Sequence, residues 1–327
     1  MEIKSISLEQ KILSHIRYWK RFFLVQIRFI KTFSNYFGII MKLLRNQYPI
    51  IIKIKNFKKF EIKSYNAAYF IANIMNFNNI QYDIDKDLVI IPNKIKKNGI
   101  STIKFYGGIN NGDIIHSFLK SDYKDLPVSK KWVLDIGMNI GDSSIYFILN
   151  GATKVIGIEP FPKNFEIALK NVNENNFQDK IELVKASCAS HEGEIMINLN
   201  KGGVDNIIEE SEMGVKIPLI TLENIIKKYD IPENSILKMD CEGCEDKIIS
   251  LVTKETIRHF SHIQIEYHNG YQKIKNKLEN YGFYVKISQP TSSNILGNLF
   301  FRLTNKDLSN KKIGYVGFVY AERNEII

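Results

Sequence analysis

The fold is decided by the stretch VLDIGMNIGD at residues 133–142, in which an apolar run leads into a turn with two glycines. A second apolar run at residues 155–158 ends in Glu159 and Pro160. Gly137 and Gly141 allow a sharp turn and a close backbone approach to a ligand. Glu159 stands where a carboxylate can accept hydrogen bonds from both hydroxyls of a ribose. The pattern predicts a strand, a turn, a helix and a second strand around a nucleoside-type ligand.

The spacing D-x-G-x-x-x-G differs from the dinucleotide pattern G-x-G-x-x-G, because Asp135 stands where the first glycine would be. An acid at that place suits a ligand with a cationic amino group better than it suits a pyrophosphate. S-adenosylmethionine combines such an amino group with a sulfonium and a ribose. The motif therefore predicts a site for this methyl donor.

Strand and helix patterns alternate from residue 131 onward. Strands are predicted at 131–136, 153–159, 181–187, 235–240 and 262–268, and helices beginning near 141, 162, 244 and 270. This alternation predicts a parallel sheet that is covered on both faces. Apolar stretches at 283–287 and 315–320 are predicted closing strands, and 195–199 with 215–220 is a predicted hairpin insertion.

Polar side chains follow most of these strands, at the edge where parallel sheets bind ligands. They are Asp135, Glu159, Ser187, Asp240 and Glu266, with Glu242 and His268 just beyond. Glu266 and His268 are two residues apart on a strand, so we expect both to point into the same site.

Four motifs, in this order, resemble the FkbM family of S-adenosylmethionine-dependent methyltransferases, and archaeal members in particular. They are DIGMNIGD at 135–142, IEPFP at 158–162, KMDCEGCE at 238–245 and IEYH at 265–268. The resemblance covers about residues 100–290. It implies the class I methyltransferase fold: a Rossmann-like, doubly wound α/β sheet that is mostly parallel, with a closing antiparallel strand. It also implies O-methylation, with sugar hydroxyls as common acceptors.

The resemblance further implies where S-adenosylmethionine would bind. Its methionine end would lie against Asp135, Gly137, Asn139 and Gly141. Glu159 with Pro160 would hold the ribose hydroxyls, and Ser187 would edge the adenine. Asp240 would face the methyl group and the acceptor. One departure from the family pattern lies in the turn, where Met138 replaces the usual alanine.

Methyl transfer to an alcohol needs a base, because an alcohol is a poor nucleophile. His268 is the predicted base, with Glu266 beside it. Asp240 and Glu242 are predicted to position the acceptor hydroxyl or to hold a divalent cation through oxygen ligands. Two plainer interpretations stay open: Glu242 and Glu245 complement the dipole of a helix, and His268 is a hydrogen-bonded residue at the rim.

The chain divides into three predicted regions: residues 1–48 as a basic amphipathic helix, 49–125 as a small α+β accessory region, and 126–327 as the methyltransferase domain. Nine basic residues against two acidic ones give residues 1–48 an excess of +7, most of the net charge of +10. The helix is expected over 8–47, with a break near Gly38. It suits an anionic membrane surface or nucleic acid, or else it packs on its own protein with its charges solvated.

Other function classes are less favoured. The sequence has no N-P-P-Y or D-P-P-Y loop for a flipped base, so a nucleic-acid methyltransferase is the second choice and no nucleic-acid partner is expected. A third interpretation is a membrane-peripheral or assembly protein with a vestigial cofactor pocket. The oligomeric state is left open.

The sequence also bears on location. No signal peptide or membrane span is recognisable, because Arg28 and Lys31 interrupt the longest apolar run. Three cysteines make no disulfide framework, which favours a reducing compartment. The spacing of Cys241 and Cys244 matches a redox motif, but redox activity and zinc binding are both disfavoured. The expected location is cytoplasmic, with peripheral contact to the inner face of the membrane.

Overall fold

The structure is a computed structural model that describes residues 6–45, 47–55, 59–92, 101–111, 113–197, 214–268, 270–292 and 315–324. The chain begins with helices α1 (Leu8–Thr32) and α2 (Tyr36–Leu44). α1 starts at a capping box, in which Ser7 and Gln10 each accept a hydrogen bond from the other's backbone N–H. In the described part of the chain, no helix is long and apolar enough to cross a membrane.

The break between the two helices lies at residues 33–35, and the expectation of a break near Gly38 is wrong. Phe33 has an extended backbone and pairs with Ile54 in an isolated antiparallel bridge. The side chain of Asn35 accepts a hydrogen bond from Lys53 N and donates one to the backbone oxygen of residue 51. These contacts with the next strand end α1, whereas Gly38 lies within α2.

The accessory region has two small antiparallel sheets. Its elements are β1 (Ile50–Lys53), β2 (Lys59–Ile62), α3 (Tyr65–Ile74), β3 (Gln81–Asp83), β4 (Leu88–Pro92), β5 (Thr102–Tyr106), α4 (Gly108–Asn111) and a π-helical segment (Ile115–Lys120). β1 pairs with β2, and β3, β4 and β5 form a meander. The predicted α+β character of this region is therefore observed.

The larger region alternates strands and helices, as predicted. Its elements are β6 (Trp132–Ile136), α5 (Asp142–Leu149), β7 (Lys154–Ile158), α6 (Pro162–Glu174), β8 (Ile181–Val184), β9 (Ser187–Ala189), β10 (Gly193–Ile197), β11 (Val215–Thr221), α7 (Leu222–Lys228), β12 (Ser235–Met239), α8 (Glu245–Leu251), α9 (Lys254–Arg258), β13 (Phe260–Tyr267), α10 (Gln272–Asn280), β14 (Phe283–Ile287), β15 (Thr291–Ser292) and β16 (Tyr315–Arg323).

The main sheet has the strand order β14-β16-β13-β12-β6-β7-β8, with the short β15 paired to β16. β6, β7, β8, β12 and β13 pair in parallel, whereas β16 is antiparallel to both β13 and β14. The predicted α/β fold and its closing antiparallel strand are confirmed. The strand order reverses between β6 and β12, which is where a doubly wound sheet binds its ligand.

The strand predicted at 181–187 is two strands in the structure. β8 ends at Val184, and β9 leaves the main sheet to pair with β11. β10 and β11 form the predicted antiparallel hairpin, which completes a separate three-stranded sheet with β9.

Two asparagines at the C-terminal end of α6, Asn171 and the C-cap residue Asn175, join the accessory region to the larger one. Asn171 accepts a hydrogen bond from Tyr106 N at 2.7 Å and donates to Tyr106 O at 3.2 Å. One helical turn later, Asn175 accepts from Lys104 N at 2.9 Å and donates to Lys104 O at 2.7 Å. A single buried apolar cluster also includes residues from both regions, such as Phe105 and Phe147. The accessory region therefore packs directly on the larger α/β region.

Candidate active site

The turn after β6 lies directly against the end of β12. Gly137 has φ = +74°, and a Cβ at this position would overlap the backbone oxygen of Asp240. Gly137 N and Met138 N both donate to Ile158 O, at 2.9 and 3.1 Å. Glycine is required here for two reasons, its positive φ and the contact with β12. The turn thus joins the ends of three strands.

The space for Met138 comes from the neighbouring strand. Met138 is completely buried, and its sulfur lies where a Cβ on Gly157 would be. Gly157 stands on β7, directly beside β6. Met138 is larger than the alanine usual at this position, and the glycine on the adjacent strand provides the space for it.

Asp135 does not line the cleft described below, although the sequence assigned it to the cofactor. It is fully buried, its Oδ2 accepts hydrogen bonds from Ser143 and Ser144 at 2.6 and 2.7 Å, and its Oδ1 lies 3.0 Å from Lys238 Nζ. Lys238 Nζ also donates to Gly137 O at 2.7 Å. Burial opposes the charge on Lys238, but Asp135 and Asp240 outweigh it and raise its pKa. We infer that Asp135 stabilises the turn indirectly, by holding Lys238 where it donates to the backbone oxygen of Gly137.

Gly141 also lies outside the cleft lining. It has φ = +81° at the N-cap of α5, and a Cβ there would come within 3.3 Å of Ala168 on α6. Its role in this geometry is to let α5 and α6 approach closely.

A cleft of about 970 Å³, including its open mouth, lies where the strand order reverses. Of the residues predicted from the sequence, it is lined by Gly137, Asn139, Glu159, Pro160, Ser187, Asp240, Glu242 and Glu266. The cleft combines residues from the ends of β6, β7, β12 and β13 with others from the accessory region.

Glu159 is held in place by the backbone around it. Its Oε1 accepts from Phe161 N at 2.9 Å and its Oε2 accepts from Asn139 N at 3.1 Å. Only 4% of the residue is exposed. Burial raises the pKa of Glu159 to about 7, although these hydrogen bonds oppose the rise. The carboxyl group is therefore fixed at the cleft wall, with lone pairs left to accept hydroxyl donors.

The accessory region contributes Asp113 to the same cleft. Its Oδ2 accepts a hydrogen bond from Asn139 Nδ2 at 2.6 Å. Burial and the nearby Asp142 and Asp240 raise its pKa well above the usual value. His116, Asp122 and Tyr123 also line the cleft from this region.

Asp240 and Glu266 form a carboxyl pair in the cleft. Burial raises the pKa of Glu266 well above its usual value, and the nearby, hydrogen-bonded Asp240 adds to the rise. Two adjacent carboxyl groups cannot both ionise cheaply, so Glu266 retains a proton that it shares with Asp240. Asp240 Oδ1 is buried and has no hydrogen-bond partner among the described residues.

His268 lies between two carboxylates. Its Nε2 is 3.2 Å from Glu242 Oε2, and its Nδ1 is 3.4 Å from Glu245 Oε1. Burial opposes a charge on the ring, but Glu245, Glu242 and Asp240 together raise the pKa of His268 to about 9. The raised pKa favours the protonated ring, which is a poor proton acceptor. His268 is also not among the described residues that line the cleft.

Glu245 and Glu242 differ in what they do at the start of α8. Glu245 accepts hydrogen bonds from Cys241 N and Gly243 N, both at 2.9 Å, and thus fixes the loop before the helix. The plainer interpretation as a helix-terminal acid fits Glu245. Glu242 has φ = +56° and lines the cleft, so that interpretation does not describe it.

Asp240, Glu266 and His268 each offer a ligand atom within 4.8 Å of the others. Such a set suits a divalent cation only if His268 is neutral and Glu266 ionised. The ion pairs of His268 favour the opposite charge states, so the divalent cation stays a prediction.

Cys241 and Cys244 are joined in a disulfide, with a Cα–Cα distance of 5.6 Å. No disulfide framework was expected from the sequence, but the tight loop before α8 brings these two cysteines within bonding distance. Cys188 is free and buried. The cysteine content no longer favours a reducing compartment.

Sequence reasoning missed the cleft residues that come from the accessory region and from the last strand. Asp113, Asp122 and Tyr123 precede the first motif, and Phe318 lies on β16 near the end of the chain. No spacing signal points to them. Asn164 was also missed, although its position five residues after Glu159, in the first turn of α6, was a usable signal.

Residues 135–285 match the model of a protein family described as the Methyltransferase FkbM domain. A relative, Uncharacterized protein 158B of Sulfolobus islandicus rod-shaped virus 1, is 29% identical over 127 residues, which make up 38% of this chain and 56% of that protein. The chain thus matches just over half the length of this relative.

Two solved structures are similar at low identity. One is the methyltransferase FkbM of Methylobacillus flagellatus KT, at 16% identity over 61% of this chain and 45% of that chain, with a TM-score of 0.38. The other is a precorrin-6y C5,15-methyltransferase of Geobacter metallireducens GS-15, at 14% identity over 60% of this chain and 82% of that chain, with a TM-score of 0.34. The family model spans all four motifs, and this match is what links residues 135–285 to the FkbM methyltransferases.

Proposed function

We propose that the protein transfers a methyl group from S-adenosylmethionine to a hydroxyl group, on a sugar, a glycan or a glycolipid. The observation that carries this proposal is the composition of one cleft. It brings Glu159, which suits a ribose, together with the Asp240–Glu266 pair, which suits a hydroxyl that must lose its proton. The family assignment supports the methyl transfer, and the carboxyl pair supports oxygen as the atom that receives it.

The residues present fit S-adenosylmethionine. Asn139 Oδ1 and Asp240 Oδ1 are buried acceptors that have no hydrogen-bond partner within the described ranges, and both residues line the cleft. Unpaired buried acceptors are costly, so a ligand with N–H or O–H donors would be stabilised here. When bound, S-adenosylmethionine supplies an electrophilic methyl group on a sulfonium.

Residues of the protein bind the cofactor and remove the proton of the acceptor hydroxyl. Glu159 accepts hydrogen bonds from the ribose hydroxyls, and Gly137 keeps the turn open to the ligand. Asp240 accepts the proton of the acceptor hydroxyl, while Glu266, which carries the shared proton, holds the Asp240 carboxyl group in place. Positioning and proton removal are what an alcohol requires.

His268 has a different role in this proposal from the one that the sequence suggested. As a cation between Glu242 and Glu245, it neutralises carboxylates beside the acceptor site and fixes the loop that carries Asp240. It is a positioning residue, and the base is Asp240.

Calorimetry with S-adenosylmethionine tests the cofactor site. We expect binding by the wild-type protein and a large loss of affinity in Glu159→Ala. Glu166→Ala is the matched control, because Glu166 is an exposed acid on the neighbouring α6. No binding by the wild type, or equal binding by Glu159→Ala, would contradict the assignment.

A second experiment tests the base and the acceptor. Glycans and glycolipids from cells with and without the gene are compared by mass spectrometry for the loss of methyl groups. With the acceptor so identified, Asp240→Asn should lower turnover by about 100- to 10,000-fold. His268→Gln should leave a pH–rate profile of the same shape, because Asp240 keeps its function. A profile of His268→Gln that loses its acidic limb, where activity falls as the pH is lowered, would restore His268 as the base.

A further inference from the structure

Helix α1 turns a broad apolar face away from the protein. Of the fifteen large hydrophobic side chains that are exposed in the described part of the chain, nine lie on α1 and α2. Those on α1 are Leu8, Ile12, Leu13, Ile16, Phe23, Leu24, Ile27 and Ile30. At about 100° per residue, these eight fall within an arc of about 160°. Single exposed apolar residues are ordinary, but a contiguous patch of this kind marks an interaction surface.

The opposite side of α1 is already bound to the protein. Its buried residues are Ser14, Val25, Phe29 and Thr32, which form a narrow stripe facing the body. Arg17 donates to Pro290 O at 2.6 Å, and Arg28 donates to Asn73 Oδ1. The helix cannot bury its apolar face by rotating, because rotation would break these contacts. α1 therefore packs on its own protein through this narrow stripe, while eight of its large apolar side chains stay exposed.

The charge of this helix distinguishes between two possible partners for its apolar face, a second copy of the chain and a lipid surface. Lys20 and Lys31 are exposed and project within the apolar arc, about 20–40° from one edge, together with Glu9, the acidic residue of α1. Residues 1–48 as a whole carry nine basic residues against two acidic ones. A second copy of the chain would bring these like charges together, whereas an anionic lipid surface would neutralise them.

We propose that the outward face of α1 docks on an anionic membrane surface. The helix of 25 residues is about 37 Å long, so it offers an extended contact when it lies in the interface. The apolar side chains enter the boundary of the acyl chains, and the lysines reach the headgroups with their long stems. This docking requires no methyl transfer, so it stands or fails separately from the proposed function.

Vesicle flotation of the full-length protein tests the proposal. We expect the wild type to float with vesicles that contain phosphatidylglycerol, and about tenfold less with vesicles of phosphatidylcholine alone. The double variant Phe23→Ser/Ile27→Ser should lose flotation. The matched control is Leu251→Ser/Tyr284→Ser, because Leu251 and Tyr284 are similarly exposed but lie on α8 and β14. A second variant, Lys20→Glu/Lys31→Glu, should lose flotation on the anionic vesicles.

Three results would overturn the proposal. The first is equal flotation of the wild type and Phe23→Ser/Ile27→Ser, with folding of both checked by circular dichroism. The second is equal flotation of the wild type on both kinds of vesicle. The third is a wild-type dimer, measured by light scattering, that the same double variant converts to a monomer, since this would show a second copy on the face.

Discussion

The sulfur of Met138 occupies the position that a Cβ on Gly157 would need. The two residues stand on the turn after β6 and on β7, and the Oγ of Ser144 closes the same space at 3.1 Å from that Cβ position. Gly157→Ala should therefore destabilise the protein by about 1–3 kcal/mol through overpacking. Urea unfolding at neutral pH measures the change in free energy.

The double variant Met138→Ala/Gly157→Ala is the control for this pair. In this variant the turn has alanine in place of methionine, so the methyl group at position 157 no longer meets the Met138 side chain. The double variant should therefore recover most of the unfolding free energy that is lost in Gly157→Ala. Additive losses in the double variant would show that Met138 and Gly157 do not share one space.

Lys238 connects β12 to the turn, and its removal has a predictable cost. Lys238→Met leaves the buried carboxylate of Asp135 without its partner 3.0 Å away. Breaking a buried ion pair from one side costs about 3–5 kcal/mol of folding free energy. Lys238→Met/Asp135→Asn should be less destabilised than the single variant, because no buried charge is left. A cost below about 1 kcal/mol in urea unfolding of Lys238→Met would contradict the structural role.

The pKa of Glu159, raised to about 7 by burial, predicts that ligand binding depends on pH. The ionised carboxylate accepts two hydrogen bonds from a diol better than the protonated acid does. Affinity for S-adenosylmethionine should therefore be about tenfold weaker at pH 6 than at pH 8, measured by calorimetry. Glu159→Gln should bind weakly, and its affinity should not show the pH dependence that comes from Glu159. This variant also controls for any titration of the ligand itself. The same pH dependence in Glu159→Gln would assign the effect to another group.

His268 predicts a pH dependence of stability. Its pKa in the folded protein, about 9, lies above its ordinary value of 6.5. The stabilisation is therefore complete below about pH 6.5 and is lost as the pH rises through 9. The difference in unfolding free energy between the wild type and His268→Gln should shrink from pH 6 to pH 10, by at most about 3 kcal/mol. A difference that is constant across this range would mean that His268 is not held as a cation.

Much of the fold could be predicted because each motif is local. The turn at 135–142 and the strand that ends at Glu159 need only sequence neighbours, and the alternation of strands and helices indicates a parallel sheet. The break after α1 could not be predicted in the same way, since Asn35 forms its hydrogen bonds with a strand that comes later in the chain.

The site was harder to predict than the fold, for electrostatic reasons. A strand-end position shows that a side chain is near the cleft but does not show its partners. Asp135 is paired with Lys238, and His268 lies between Glu242 and Glu245, and these partners cannot be deduced from the position of either residue on its strand. Asp113 enters the cleft from another region of the chain, and only tertiary contacts bring it there.

The pair Asn171 and Asn175 has a consequence for the behaviour of the protein in solution. β5 is the edge strand of its sheet, and exposed edges of this kind recruit strands from other molecules. Four residues of a helix span about 6 Å along its axis, and two residues of a strand span about 6.8 Å. Because these lengths are similar, two amide side chains one helical turn apart can reach the outward backbone groups of Lys104 and Tyr106. The two asparagine side chains therefore form the hydrogen bonds to the edge of β5 that the backbone of another strand would otherwise form. Replacing both asparagines with alanine would expose that edge, and the first symptom would be aggregation at high protein concentration.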